Sequence, residues 1–375
     1  MKKGRILNIL PEIDGGGVGA VVYNYVKAMP LNDFEVDLIV FDTGSKQLWS
    51  EELINLGIRI YYITPRTVNI KKHFKEVNKI IKNGKYDIVH AHMSEWASVY
   101  CYIALINDVR IRIGHSHIAG SLYSAKKRVV LKVINQIFKK SCNYYFSCGK
   151  NAGEYLWGLR AINENKVYIM NNAVSKDRFG FNEEIRNKLK YKNNLENKLV
   201  FGSVGRFNEQ KNHMFLIEVF KRINEIIPNS RLILIGDGEL KKKIIEKIKK
   251  ENLEEKVIMV GKRKDVNEWL NVFDLLLLPS LYEGLPVIGI ESQMNGLPLL
   301  VSEGVTQEIN ILDTSYRLSL DDNIEKWAAK SIELAGLNTN RVEAQKIMKK
   351  RGYDIDEEAY KLAQFYKSVL SCLKH

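Results

Sequence analysis

Short apolar runs alternate along this chain with longer stretches whose apolar positions recur at helical spacing. In the first half the runs 5–10, 36–41, 58–63, 86–90, 110–114, 144–147 and 166–169 read as strands, several of them apolar enough to be buried on both faces. Between them the patterns at 20–28, 70–82, 96–106 and 126–138 read as helices. Such alternation specifies a parallel sheet with helices on both sides.

The alternation restarts in the second half. Strands are expected at 199–204, 231–235, 257–260, 275–278 and 299–301, with helices at 210–226, 240–251, 266–271 and 286–295. Residues 171–195 are polar and charged, carry no strand pattern and form the seam, where Asn171-Asn172 suits a turn. The expected fold is therefore α/β, with two doubly wound, Rossmann-like domains in tandem, 1–172 and 173–355. Ligands of open α/β sheets sit beyond the carboxyl ends of the strands, and two such sheets facing each other would place a cleft between the domains.

Composition narrows the choice of function. With 375 residues, 45% of them hydrophobic, and seven prolines, the chain is a folded protein of about two domains. Its apolar runs, Leu275 to Leu278 among them, fall far short of the ~20 residues that span a bilayer. The stretch behind Met1-Lys2-Lys3 is broken by Arg5 and Asn8, so a cytoplasmic location is expected. Four cysteines without a Cys-x-x-Cys pair predict reduced thiols. The net charge of +13 is concentrated early, with 24 Lys and Arg against 14 Asp and Glu up to Met170. An anionic membrane surface is one partner this suggests; nucleic acid has only the overall charge in its favour. Cations bracket the apolar-rich segment 126–140, as in interfacial helices, although a buried helix with solvated ends has the same pattern.

Candidate chemistry gathers after the strands. Asp14-Gly15-Gly16-Gly17-Val18-Gly19 follows the first strand and opens a helix, where clustered glycines let backbone amides approach a phosphate or another polar ligand. In the second half, Gly205-Arg206-Phe207-Asn208-Glu209-Gln210-Lys211 follows a strand and is expected to enter a helix capped by Asn208. Arg206 and Lys211, in the first turn, would converge with the helix terminus on a diphosphate. After the strand at 275–278 comes Glu283-Gly284-Leu285-Pro286, with Pro286 in the first helical turn and Glu291 about two turns along. Two carboxylates so spaced can grip two parts of an elongated, hydroxyl-rich ligand. Glu283, set among apolar residues, would be a costly place for an idle charge.

His90 and His92, and likewise His115 and His117, are paired at period two on strand ends. A four-histidine metal site is conceivable; no other ligand type joins them, and one polar cleft histidine without metal is the preferred reading. Asp354-Ile355-Asp356 has the form of a metal-binding Asp-x-Asp, but capping of the last helix accounts for it better.

These motifs resemble the retaining GT-B glycosyltransferases of family four, and within them the exopolysaccharide and capsule group. The resemblance covers nearly the whole chain and rests on Gly-Gly-Val after the first strand, Tyr-Asp-Ile-Val-His-Ala-His at 86–92, Arg-Ile-Gly-His-Ser-His at 112–117, Gly-Arg-Phe with Lys211, Gly236-Asp237-Gly238, and Glu283 with Glu291. It implies that Arg206 and Lys211 hold the donor diphosphate and stabilise the departing nucleotide without a metal or other cofactor. It places Glu283 near the transferred sugar, Glu291 on the ribose, and the amides of Gly284 and Leu285 on sugar or phosphate. His117 corresponds to a histidine that closes over the sugar, and Gly16 and Gly17 to the loop between donor phosphate and acceptor. Gly19 stands where relatives often have Glu. The last helix, 356–375, is expected to cross back to the first domain, which would bind the acceptor while the second binds the donor.

The implied reaction moves a hexose or N-acetylhexosamine from a nucleotide diphosphate sugar, UDP-linked by preference, to a lipid-linked saccharide in bacterial surface polysaccharide synthesis. Peripheral attachment to the inner face of the plasma membrane goes with it. A nucleotide-sugar epimerase and a non-catalytic nucleotide-binding protein are the alternatives; the two-glutamate signature disfavours the first, and intact Arg206, Lys211, Glu283 and Glu291 the second.

Overall fold

In a computed structural model, residues 3–13, 17–118 and 125–372 are described. The chain divides into two units: the first comprises Met1–Ala173 with Ile355–His375, the second Val174–Asp354.

The first unit holds seven parallel strands: β1 (Gly4–Ile9), β2 (Phe34–Phe41), β3 (Arg59–Ile63), β4 (Ile88–Ala91), β5 (Ile111–Ser116), β6 (Tyr144–Ser147) and β7 (Val167–Ile169). Their order is β3-β2-β1-β4-β5-β6-β7, so the winding direction reverses between β1 and β4. Ile6, Leu7 and Ile9 are fully buried because helices cover both faces. Asn8 is the polar exception among them.

One covering helix, Ile70–Gly84, shows how sequence sets its ends. Asn69 accepts the Lys72 backbone N–H at 2.9 Å and starts it. His73, Val77 and Ile81, spaced by four, form its buried face, and Lys85 in the left-handed region ends it. The last helix, Ile355–Ser371, belongs to this unit and buries Ala359, Leu362, Ala363 and Tyr366. Each such side chain stabilises the unit by up to roughly 1–3 kcal/mol.

The second unit contains six parallel strands: β8 (Leu199–Val204), β9 (Ser230–Ile235), β10 (Val257–Gly261), β11 (Leu275–Leu278), β12 (Leu299–Ser302) and β13 (Ser315–Leu318). Their order, β10-β9-β8-β11-β12-β13, reverses between β8 and β11. Strand β13 is not among the strands read from the sequence. It is an edge strand whose two middle residues, Tyr316 and Arg317, are accessible, so it lacks the continuous apolar run of its neighbours.

Three local expectations are corrected. Asn208 does cap a turn, but only the 3₁₀ turn Glu209–Lys211; Asn212 then takes a left-handed conformation (φ 52°) and the helix starts afresh at His213. Lys211 therefore precedes that helix instead of lying in its first turn. Pro286 is the extended residue before the helix Val287–Met294, which puts Glu291 about one turn in, not two. Finally, His90 and His115 lie within β4 and β5, with His92 and His117 just beyond the strand ends.

Candidate active site

The reversal between β8 and β11 is where an open sheet leaves a crevice at its carboxyl edge. Gly205 and Arg206 follow β8 there, and the loop Pro279–Pro286 follows β11. Close approach of the β8 and β9 ends requires Gly236: at φ +149° a Cβ would lie 1.9 Å from the Gly205 carbonyl oxygen.

Glu283 is held by backbone and side chain. Its N–H donates to the Gly304 carbonyl at 2.9 Å. Its Oε1 accepts both the Lys211 ammonium at 2.6 Å and the Ser280 hydroxyl at 2.5 Å. Ser280 is itself fixed, since its carbonyl accepts a short hydrogen bond from the Ser302 hydroxyl. The loop carrying Lys211 is tied to the Glu283 loop: Leu281 N–H donates to the Gln210 carbonyl at 2.8 Å, and Gln210 Nε2 to the Tyr282 carbonyl at 3.0 Å. The Lys211 and Glu283 side chains are only 16% and 9% exposed, so the pair is poorly screened by solvent.

Arg206 does not converge with Lys211 in the expected way. Its side chain is 69% exposed and its Nε lies 3.4 Å from Glu239. Each cation is thus matched to a different carboxylate. Leu285 is buried and Gly284 half-buried beside Glu283.

Glu291 is half-buried by surface area yet deep within the second unit. Burial pushes its pKa up to about 7, and nearby Arg178 offsets part of that rise. Close to neutrality this carboxyl can accept or donate hydrogen bonds, which suits a partner with vicinal hydroxyls.

In the first unit, the ends of the adjacent strands β4 and β5, next to the β1/β4 reversal, gather all four paired histidines. His92 Nδ1 lies 3.0 Å from His117 Nε2, and His92 Nε2 lies 3.1 Å from Asn8 Oδ1. His90 Nε2 lies 3.0 Å from His115 Nδ1, and His90 Nδ1 lies 2.7 Å from the Tyr366 hydroxyl. Burial lowers the pKa of all four, that of His117 to about 3, so they are neutral near pH 7. His90, His92 and His115 are spaced closely enough to hold a metal ion. Within each hydrogen-bonded pair, however, the facing nitrogens already share a proton between them. Gly17 is the exposed first residue of the helix Gly17–Ala28; Gly16 lies outside the described residues.

Ser280, Asn8 and Tyr366 were not singled out by sequence. Asn8 did carry a signal, as the polar residue inside the apolar run Ile6–Leu10.

The family described as Glycosyltransferase Family 4 matches residues 15–178, and that described as Glycosyl transferases group 1 matches residues 184–354. The chain is 28% identical over 375 residues to the EpsF protein of Bacillus subtilis (strain 168), named as a glycosyltransferase, covering 96% of each. It is also 28% identical over 302 residues to the UDP-Gal:alpha-D-GlcNAc-diphosphoundecaprenol alpha-1,3-galactosyltransferase of Escherichia coli, covering 76% of each. Among solved structures, Anabaena Alr3699/HepE in complex with UDP and glucose superposes with a TM-score of 0.76 at 17% identity, over 97% of this chain and 99% of that one. At that identity the likeness speaks for the fold, which is GT-B.

Proposed function

The chain belongs to the glycosyltransferases of family 4 and group 1, and we propose that it transfers a hexose or N-acetylhexosamine from a UDP-sugar to a lipid-linked saccharide, with retention and without a metal. The observation that carries this reading is the Lys211–Glu283 pair at the β8/β11 reversal, with Glu291 one turn into the following helix. Lys211 neutralises the departing diphosphate, the exposed Arg206 joins it by turning away from Glu239, Glu283 orients the sugar, and Glu291 holds the ribose. The amides of Gly284 and Leu285 contact sugar or phosphate, His117 contacts sugar hydroxyls, and Gly17 lines the acceptor side of the phosphates. The Escherichia coli relative, whose name carries both a UDP-sugar and a diphosphoundecaprenol acceptor, supports this choice of donor and acceptor. Surface polysaccharide synthesis is supported by the name of the capsular polysaccharide biosynthesis glycosyltransferase CapH of Staphylococcus aureus, to which the chain is 25% identical over 332 residues.

Incubation with UDP-hexoses and an undecaprenyl-diphosphate saccharide, followed by NMR of the product anomer, tests the reading. Transfer with retention in the presence of EDTA is expected. Loss of activity restored only by Mg²⁺ or Mn²⁺ would overturn metal independence, and conversion of donor without acceptor would favour the epimerase.

A lipid-borne acceptor calls for a membrane-facing surface. No helix among the described residues is long and apolar enough to cross a membrane. The helix Ala125–Phe138 buries Leu131 and Asn135, yet leaves Val129, Val130, Val133 and Ile137 between 52% and 66% exposed. Lys126, Lys127, Arg128 and Lys132 flank this ridge, a combination suited to an anionic bilayer surface. Co-sedimentation with anionic vesicles should fall when Lys126, Lys127 and Arg128 are neutralised; unchanged binding would remove this part of the proposal.

A further inference from the structure

We infer that Asn8 and His92 form a positioning relay that fixes which nitrogen of His117 carries the proton, and thereby the hydrogen-bonding role His117 offers to a sugar. The inference rests on the reading of His117 given above and extends it to two residues that reach no substrate themselves.

The relay follows from counting protons. An amide oxygen only accepts, so with Asn8 Oδ1 3.1 Å away, the proton of His92 sits on Nε2. A neutral imidazole has one N–H, so His92 Nδ1 is an acceptor. The proton between His92 Nδ1 and His117 Nε2, 3.0 Å apart, must then come from His117. His117 is left with a bare lone pair at Nδ1 and can accept, but not donate, a hydrogen bond there. A sugar hydroxyl can supply that proton.

The rest of the cluster holds the relay in place. The backbone N–H of His92 donates to the Ile9 carbonyl at 2.8 Å, locking its strand end to β1 beside Asn8. The rings of His90 and His115 stack on those of His92 and His117, each pair with centroids 4.0 Å apart. Burial keeps His92 and His117 neutral, so no second proton blurs the pattern. The same logic explains a buried asparagine inside an otherwise apolar strand, where it would cost stability if it did nothing.

Histidine ¹⁵N spectra of the full-length protein at pH 7 test this directly. Both His92 and His117 should be Nε2–H tautomers, and one equivalent of Zn²⁺ should leave their signals in place. Asn8→Leu, of similar size and without an acceptor, should shift His117 to a tautomer mixture. It should also lower kcat about 10-fold while donor KM stays within about 2-fold. Asn8→Asp, which restores an acceptor, should recover the tautomer and most of kcat.

His117 protonated on Nδ1 in the unaltered protein, or signals displaced by stoichiometric Zn²⁺, would overturn the relay. So would an unchanged tautomer in Asn8→Leu. Spectra of the unaltered protein are enough to overturn the idea, so a variant that fails to fold does not protect it. Nε2–H tautomers in a protein that transfers no sugar would sustain the relay and count against the functional reading.

Discussion

Next to the point where strand order reverses, the first unit sets His92, just beyond β4, against His117, just beyond β5, whereas the second sets Lys211 against Glu283 beside β8 and β11. Both edges are largely buried, and burial penalises charge in both. The first unit responds with neutral imidazoles that share protons among themselves. The second retains a full ion pair, which is tolerable because Ser280 adds a hydrogen bond to the carboxylate and the loop is tied down around it. One topology thus supports two polar solutions. A neutral cluster can shape and orient hydroxyls, while a charged pair can be turned toward phosphate charge that appears as a bond breaks.

Breaking the charged solution should have the largest effect. On the proposed function Glu283 is the carboxylate nearest the developing positive charge on the sugar, so Glu283→Gln should lower kcat about 100-fold or more. UDP affinity, measured by calorimetry, should change by less than about 3-fold. The substitution also leaves Lys211 half-satisfied in a buried place, at a cost of roughly 1–3 kcal/mol. A double variant, Lys211→Met with Glu283→Gln, should recover that stability and recover no activity. Full activity in Glu283→Gln would reverse the comparison.

Glu291 sharpens it, because here the second unit also holds a carboxyl near its neutral form. If Glu291 holds the ribose as proposed, Glu291→Gln should raise the donor KM about 10-fold with kcat nearly unchanged, since such a contact persists from ground state to transition state. Stability should move with pH as well. The folded-state pKa of about 7 exceeds the ordinary 4.5, so the folded protein binds the proton more tightly than the unfolded chain does. That contribution is complete below about pH 4.5 and is lost as pH rises through about 7. Glu291→Gln should therefore match the parent near pH 4.5 and exceed it by about 1–3 kcal/mol at pH 8. A gap that is constant with pH would show that burial is not what shifts this carboxyl.

Sequence made some of this legible and not the rest, for identifiable reasons. Twelve of the strands correspond to the apolar runs identified in the chain, because parallel strands buried on both faces are written as such runs. The exception, β13, is an edge strand in which Tyr316 and Arg317 remain accessible. Glu283 and Glu291 were visible because Gly-Leu-Pro between them marks a loop entering a helix. The partner of Lys211 was not, because Asn212 restarts the helix and re-aims the lysine toward Glu283. Arg206, exposed and beside Glu239, shows that adjacency to a strand end does not fix where a long side chain points. Ser280 and Asn8 are single polar residues in or just beyond apolar strands, and no spacing rule identifies their partners.

The smallest expected effect separates the two hydrogen-bonded pairs within the first unit. Tyr366, on the last helix, is fully buried and its hydroxyl meets His90 Nδ1 at 2.7 Å. His90 and His115 form one pair, His92 and His117 the other, and the two pairs touch through ring stacking, not through shared protons. Tyr366→Phe keeps the ring that packs edge-on against Phe34 at 6.0 Å and deletes only the hydroxyl. The loss should be that of one buried hydrogen bond, about 1 kcal/mol, or a fall of about 2–4 °C in Tm. Proton placement on His117 is set from the Asn8 side, so its tautomer and the transfer kinetics should not change. A fall in kcat comparable with that of Asn8→Leu would mean that the four histidines act as one unit, and that the last helix tunes the site it packs behind.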